Sequence, residues 1–413
     1  MTTIKKTIKK SKRSGPLSGV RILDLSRVLA GPFCSMILAD LGAEIIKVEE
    51  LGVGDQTRTI PPFLKGESHY FLSINRNKKS IALDSRTREG KKILLTLVKQ
   101  CDVVLENFRP DVMKRLGLDY ETLKKIKPDI IHCSISGFGA KGAMKDKPSF
   151  DLVTQALSGV MSINGYPDGP PTKLGLPLGD IGGGLWAAIG ILAALNEKNI
   201  TGKGTQIDLS LLEGLMGLLG YLAEIFLVTG KSPGRMGNNH HNIVPYGLMK
   251  VKDGHIVLAL HVGSFWRNFC KAISRDDLIT DARFKTVKDR HINRTALEKI
   301  LDRIMLTRTI KEWQKILNKA DVPHGPVNTV GQAINQPIIK KSGFLKETLH
   351  PTAGKVKVLG SPLHFPGTFE NSTIAPPPRL GEHTIEILSS LAKLKPAAIA
   401  QLLRLGIIAT PKP

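Results

Sequence analysis

Asp180 is a single carboxylate set among glycines and prolines, in Gly169-Pro-Pro-Thr-Lys-Leu-Gly-Leu-Pro-Leu-Gly-Asp180-Ile-Gly-Gly-Gly184. It stands at the mouth of an apolar helix expected over Leu185–Leu195. An aspartate there commonly caps the helix, accepting hydrogen bonds from its first N–H groups. Three glycines inside a helix are costly, however, at roughly 0.8–1 kcal/mol each relative to alanine. Such a run suggests that another backbone or a ligand approaches closely. Other candidate motifs are weaker. Gly137-Phe-Gly139-Ala-Lys-Gly142 spells a dinucleotide fingerprint after a strand, but Met144-Lys-Asp-Lys-Pro148 follows it in place of a helix that could hold a pyrophosphate. His240, His241, His255 and His261 cluster without carboxylates at metal-ligand spacing, which favours a loop or pocket role, and no metal site is expected. The chain contains no G-x-S-x-G, H-E-x-x-H or Walker sequence.

These residues need a scaffold. Val20–Leu25 reads as a strand, Pro32–Leu41 as a helix with proline at its first position, and Glu44–Val48 as a second strand. Strands at Ser80–Leu83, Asp102–Leu105, Ile130–Cys133 and Gln206–Leu209 alternate with helices at Glu89–Gln100, near Val112 and near Leu123. The alternation predicts an α/β fold, a Rossmann-like doubly wound parallel sheet. One long helix is expected from Leu211 to Val228, then a break at Gly230–Gly234 that marks a lobe boundary. Beyond it, Asp253-Gly254 between alternating runs signals a hairpin, and helices near Phe265, Ala296 and Ile310 complete a smaller α+β lobe. The chain past Gly325 is rich in glycine and proline and closes with helices from Thr384 and Ala397.

Composition narrows the functional classes. With 413 residues and 41% hydrophobic content, two lobes are the default. The apolar stretches Leu185–Leu195 and Leu209–Val228 are too short or carry Glu213 and Glu224, so no membrane span is expected. Cys34, Cys101, Cys133 and Cys270 form no CxxC pair, which fits a reducing cytoplasm. The formal charge of +23 invites a nucleic-acid reading. Six basic residues of that excess sit in the leader (Lys5, Lys6, Lys9, Lys10, Lys12, Arg13), either a disordered extension or a targeting or nucleic-acid arm. Elsewhere the charges are mixed and aromatics are only 5%, poor material for stacking on bases, so no nucleic-acid partner is expected.

Taken in order, Leu17-Ser-Gly-Val-Arg-Ile-Leu-Asp-Leu25, Leu29-Ala-Gly-Pro32, Asp40-Leu-Gly-Ala43, Ile46-Lys-Val-Glu49, Gly54-Asp-Gln-Thr-Arg58, Asn75-Arg-Asn-Lys-Lys-Ser80, Glu106-Asn-Phe-Arg-Pro110 and Leu178-Gly-Asp180 resemble the family III coenzyme A transferases, the CaiB/BaiF family. The likeness runs from about Pro16 to Ile408 and, around Asn242–Tyr246, Lys252–Gly254 and Pro323–Pro326, is strongest toward the succinyl-CoA:glutarate and related dicarboxylate enzymes. It implies transfer of CoA from an acyl-CoA to a free carboxylic acid with Asp180 as the nucleophile, through an aspartyl mixed anhydride and an aspartyl-CoA thioester. No cofactor is held permanently; the CoA thioester is a substrate. It also implies a homodimer of interlocked rings in the cytoplasm, or in the mitochondrial matrix of a eukaryote. The layout expected is a leader at 1–15, a large CoA-binding domain at 16–229, a small domain at 230–325, and a linker with C-terminal return to the large domain at 326–413.

By the same resemblance CoA lies against Val28, Leu29, Ala30, Leu83, Arg86, Asn107, Phe108 and Arg115, where arginine meets phosphate and Phe108 meets adenine. Phe150, Asp151, Gly237, Asn238, His240 and His241 would form the acyl and acceptor pocket, with Arg235 or a histidine on a distal carboxylate. Three departures from the family's patterns matter. Leu29 replaces the glutamine of formyl-CoA transferase, and Arg235–Asn242 replaces its glycine loop, which disfavours formate–oxalate exchange. Glu50 stands where some members have a CoA-contacting arginine. Phe150-Asp151 lacks the histidine of the family's racemases, so two-base proton exchange is disfavoured. The competing readings are an acyl-CoA isomerase and, more remotely, a basic nucleic-acid-binding protein.

Overall fold

The computed structural model describes residues 15–366 and 374–411; the basic tail Lys5–Arg13 lies outside them. The described residues divide into two compact units, one of residues 15–158, 175–220, 340–366 and 374–411, the other of residues 159–174 and 221–339.

In the first unit, apolar runs form a seven-stranded sheet in the order Ile408–Ala409, Lys78–Leu83, Glu44–Glu49, Arg21–Asp24, Val103–Glu106, Ile131–Ser136, Gln206–Ser210. All pairings are parallel except that of the short terminal strand, where Ile408 opposes Leu83 antiparallel. Counting only the parallel strands, the order is 3-2-1-4-5-6, that of a doubly wound sheet, whose crevice opens where the winding reverses between strands one and four. Both sheet faces are covered, as continuous apolar strands require. Ile22, Ile45, Val103 and Ile131 face a core with Cys34, Leu38 and Ile191, while Leu23, Ile46 and Val104 face Leu94, Leu97 and Ile387. Successive residues therefore serve opposite cores, the period-two signature of a strand.

The helix carrying Asp180 runs Leu178–Thr201, starting seven residues earlier than the apolar run suggested. Its 24 residues meet the length and composition of a membrane span, but Ala187, Ala188, Ile191 and Leu195 are buried against the sheet. Its glycines admit neighbours. A Cβ on Gly184 would lie 2.7 Å from the Ala30 carbonyl oxygen of helix Ala30–Asp40, and one on Gly183 would lie 2.2 Å from Leu211 Cδ2.

In the second unit, strands Tyr246–Val251 and Gly254–Ala259 form the hairpin and His324–Pro326 adds to its other edge. The closing pair is Val251 with Gly254, so the turn is Lys252-Asp253, one residue earlier than expected. Asp253 is instead used across the unit, its Oδ1 accepting from Ile310 N at 2.7 Å. Trp266, Phe269, Phe284, Leu297, Leu301, Trp313 and Leu317 fill the core.

The single helix expected over Leu211–Val228 is two, Leu211–Leu218 and Tyr221–Thr229. Gly220 between them has φ +53°, which an α-helix cannot continue. The second unit thus begins at Tyr221 rather than Gly230, includes 159–174 and extends to Ile339. Pro32 is the third residue of its helix, which begins at Ala30.

Candidate active site

The crevice predicted by the sheet winding holds a cavity of about 250 Å³ inside the first unit, lined in part by Val28, Leu29, Ala30, Asn107, Phe108 and Asp180. Lys145, Lys147 and Phe150 complete one side. Ser136 and Gly137 also line it, so the glycine-rich stretch shapes this wall; the next helix begins only at Asp151, with no helix N-terminus for a pyrophosphate directly after the glycines.

Asp180 does not cap its helix. The cap position belongs to Pro177, without a side-chain bond, and Asp180 sits in the first turn. Asp151 serves the terminus instead, its Oδ1 accepting from Gly179 N at 2.7 Å while Gln155 Nε2 donates to Oδ2 at 2.7 Å. Gly179 must be small there, since a Cβ would lie 2.8 Å from Thr154 Oγ1 and 2.9 Å from Asp151 Oδ1. Among the described residues none donates a hydrogen bond to the Asp180 carboxylate, and the residue is half-buried. Burial, and then the negative charge of Asp151, push its carboxyl up to about 7. The Tyr70 phenol is pushed up to about 12 by burial and then by Asp180, Asp55 and Asp151. A carboxylate so placed is poorly solvated, poised between ionised and neutral, and uncommitted to the fold, which suits a nucleophile.

A second cavity of about 440 Å³ is lined by Leu83, Arg86, Phe108 and Arg115 among others, and Arg27 and Phe108 line both cavities. The Arg27 guanidinium lies 5.2 Å from the Phe108 ring centroid. Arg86 is held by Asp84 at 3.0 Å and Glu50 at 3.6 Å, and Arg115 by Asp111 at 3.2 Å, yet both guanidinium groups remain largely exposed. Glu50 thus pairs with Arg86 and also reaches Arg27 at 3.8 Å. Asn107 is a brace: its Oδ1 accepts from Arg27 N and its Nδ2 donates to Arg27 O, each at 2.7 Å.

Phe150 and Asp151 belong to the first unit; Gly237, Asn238, His240 and His241 belong to the second. There Gly237 N donates to Gly165 O at 2.8 Å and Asn238 Nδ2 to Tyr166 Oη at 2.9 Å. His240 stacks on Tyr221 at 5.6 Å and meets Tyr246 edge-on at 5.2 Å, and its Nδ1 accepts from Asn242 N and Ile243 N. His241 Nε2 lies 2.9 Å from Gly234 O. Arg235 donates to the carbonyls of Tyr166, Pro167 and Gly169 at 3.1, 3.0 and 2.6 Å, which ties residues 159–174 to this loop and leaves little of its fork for a substrate.

Sequence reasoning assigned no role to Lys145, Lys147, Tyr70, Lys47 or Asp55. Lys47 and Asp55 both stand within the family's landmarks, but only the tertiary structure shows what they hold.

A doubly wound parallel sheet with a half-buried carboxylate in its switch-point crevice defines the class as an α/β enzyme of the ligand-binding type. Comparison with known proteins makes the assignment specific. The model of CoA-transferase family III matches residues 17–384. Succinyl-CoA:glutarate CoA-transferase of Homo sapiens is 41% identical over 394 residues, covering 95% of this chain and 90% of that protein. Succinyl-CoA:mesaconate CoA-transferase of Haloarcula hispanica is 36% identical, covering 91% and 96%. A solved CaiB/BaiF family protein from Brucella suis superposes with a TM-score of 0.80 at 36% identity, covering 91% of this chain and 99% of that one. The chain belongs to CoA-transferase family III and is a CoA-transferase.

Proposed function

We propose that this enzyme moves CoA from an acyl-CoA donor, succinyl-CoA in particular, to a free dicarboxylic acid, with Asp180 as the acyl carrier. The observation that carries the reading is the Asp180 carboxyl: it is half-buried in the switch-point cavity, serves no structural hydrogen bond, and is raised to about 7. The names of the relatives, succinyl-CoA:glutarate and succinyl-CoA:mesaconate CoA-transferases, support the substrate class.

In the proposed sequence the ionised Asp180 attacks the thioester carbonyl, the C–S bond breaks, and an acyl-aspartyl anhydride forms with release of CoA thiolate. An ionised carboxylate needs no base for this attack, and the anhydride preserves activation. The thiolate attacks the aspartyl carbonyl, expelling the donor acid and leaving an aspartyl-CoA thioester. The acceptor carboxylate then displaces the thiolate to form a second anhydride. Attack of the thiolate on the acceptor carbonyl completes the new thioester and frees Asp180. The positive end of the helix that carries Asp180 would stabilise the developing oxyanions, and exclusion of water protects the anhydrides.

CoA would occupy the two adjoining cavities, with Val28, Leu29, Ala30 and Asn107 toward Asp180 and Leu83, Arg86 and Arg115 toward the nucleotide; Phe108 lines both. Acceptor-selecting roles are proposed for Phe150 and Asp151 in the first unit and, separately, for Gly237, Asn238, His240 and His241 in the second, where Arg235 is already committed to three carbonyls. The active form would be an interlocked homodimer in a reducing compartment, for which four buried free cysteines are suited. Incubation with succinyl-CoA and glutarate, followed by mass spectrometry of the Asp180 peptide, tests the carrier. A hydroxylamine-sensitive adduct is expected, and transfer at the parent rate by Asp180→Asn would refute it. Solvent deuterium entering the α carbon without acyl exchange would instead identify an isomerase.

A further inference from the structure

The turn Ser26–Ala30, which ends the first strand and forms one wall of the Asp180 cavity, is held by side chains of three other segments. Lys47 Nζ donates to Ser26 O at 2.9 Å. Asn107 takes both backbone polar groups of Arg27. Val28 N donates to Asp55 Oδ1 at 3.2 Å. Val28 itself has φ +64°, in the left-handed region that a β-branched residue rarely enters. Such strain persists only where the surroundings enforce it, and it gathers at functional sites.

Asp55 is built for that enforcement. Its Oδ2 lies 2.8 Å from Lys47 Nζ, with both side chains at 0% exposure. Its Oδ1 also accepts from Thr57 N at 2.9 Å and Thr57 Oγ1 at 2.8 Å, so the carboxylate is fixed from two sides before it meets Val28. Asp55 lines neither cavity, whereas Val28, Leu29 and Ala30 line the cavity that contains Asp180. Leu29 follows as the helix N-cap with no side-chain bond of its own, so the Val28 backbone decides where that wall stands.

We propose that Asp55 is a positioning residue for acyl-CoA: clamped by Lys47, it holds Val28 in the left-handed conformation and so sets the Val28–Ala30 wall of the Asp180 cavity, an inference that rests on reading that cavity as the acyl-CoA site. The test measures kcat and KM for succinyl-CoA, with glutarate as acceptor, in Asp55→Asn, Val28→Gly and the double variant, alongside thermal melting. Asp55→Asn is expected to raise KM for succinyl-CoA by about tenfold while the protein remains folded. Glycine enters positive φ without enforcement, so recovery by glycine is read against Val28→Gly alone: whatever KM that variant has by itself, adding Asp55→Asn to it should cost little more. A purely structural Asp55 would lower the melting temperature, leave KM in place and show no recovery by glycine, and that result overturns the proposal. If Asp55→Asn does not fold, Asp55→Glu, which keeps the charge beside Lys47 but displaces Oδ1, is judged by the same two readings. Asp180→Asn is assayed in parallel: turnover retained there sinks the site reading, whereas an inactive Asp180→Asn with parent KM in Asp55→Asn sinks only the positioning role.

Discussion

Asp180 is asked for two opposed things: burial favours its neutral form, while attack on a thioester needs the anion. A carboxyl at about 7 meets both near neutral pH, and its pH behaviour follows. kcat/KM is expected to rise as pH increases through about 7 and to level above it. Asp151→Asn keeps an oxygen for Gly179 N but removes the second cause of the shift, so the acidic limb should move to lower pH in a pH–rate profile. Stability runs the other way. A carboxyl raised from 3.8 to about 7 binds its proton more tightly when folded, so its contribution is present at low pH and lost as pH rises through 7. Asp180→Asn should therefore be inactive yet more stable than the parent at pH 8, by on the order of 1–2 kcal/mol, a gain that shrinks at pH 5 in urea melts.

At the scale of elements, the site depends on the contact of helix Leu178–Thr201 with helix Ala30–Asp40, because Asp180 lies one turn before Gly184 and the second helix begins at the cavity wall. Gly184→Ala places a methyl 2.7 Å from a backbone oxygen that cannot rotate away. The expected cost is about 1–3 kcal/mol, less the helix preference of alanine, together with loss of turnover as Asp180 shifts. Gly183→Ala meets only the end of Leu211, which can change rotamer, so denaturant midpoints should rank it the milder variant. The glycine run announced a close approach in the sequence, since its cost needed a reason. Which group approached was not legible, because Ala30 is 154 residues away and only the packed layers bring it near.

For the whole molecule, the strand order places the ends of strands Arg21–Asp24 and Val103–Glu106 on either side of the crevice, and the residues just beyond them, Val28–Ala30 and Asn107–Phe108, line it. The charge of +23 is a separate matter. Deleting residues 1–14 removes six basic side chains and no acids, and transferase activity is expected to be unchanged. Any salt-sensitive retention on DNA or RNA should disappear with the deletion, as binding through phosphates requires; retention that survived it would place a nucleic-acid surface elsewhere.

Local chemistry was readable along the chain: the alternation of strands and helices, and the ordered landmarks that end in Leu178-Gly-Asp180. These depend on neighbours a few residues apart, and so does helix or strand periodicity. The exchange of roles between Asp180 and Asp151, the break at Gly220, the use of Arg235 on three carbonyls and the clamp of Asp55 on Val28 were decided by the tertiary structure alone. Each turns on where a hydrogen-bonding group or a backbone dihedral ends up once remote segments pack, and a polar side chain takes the partner that burial leaves it.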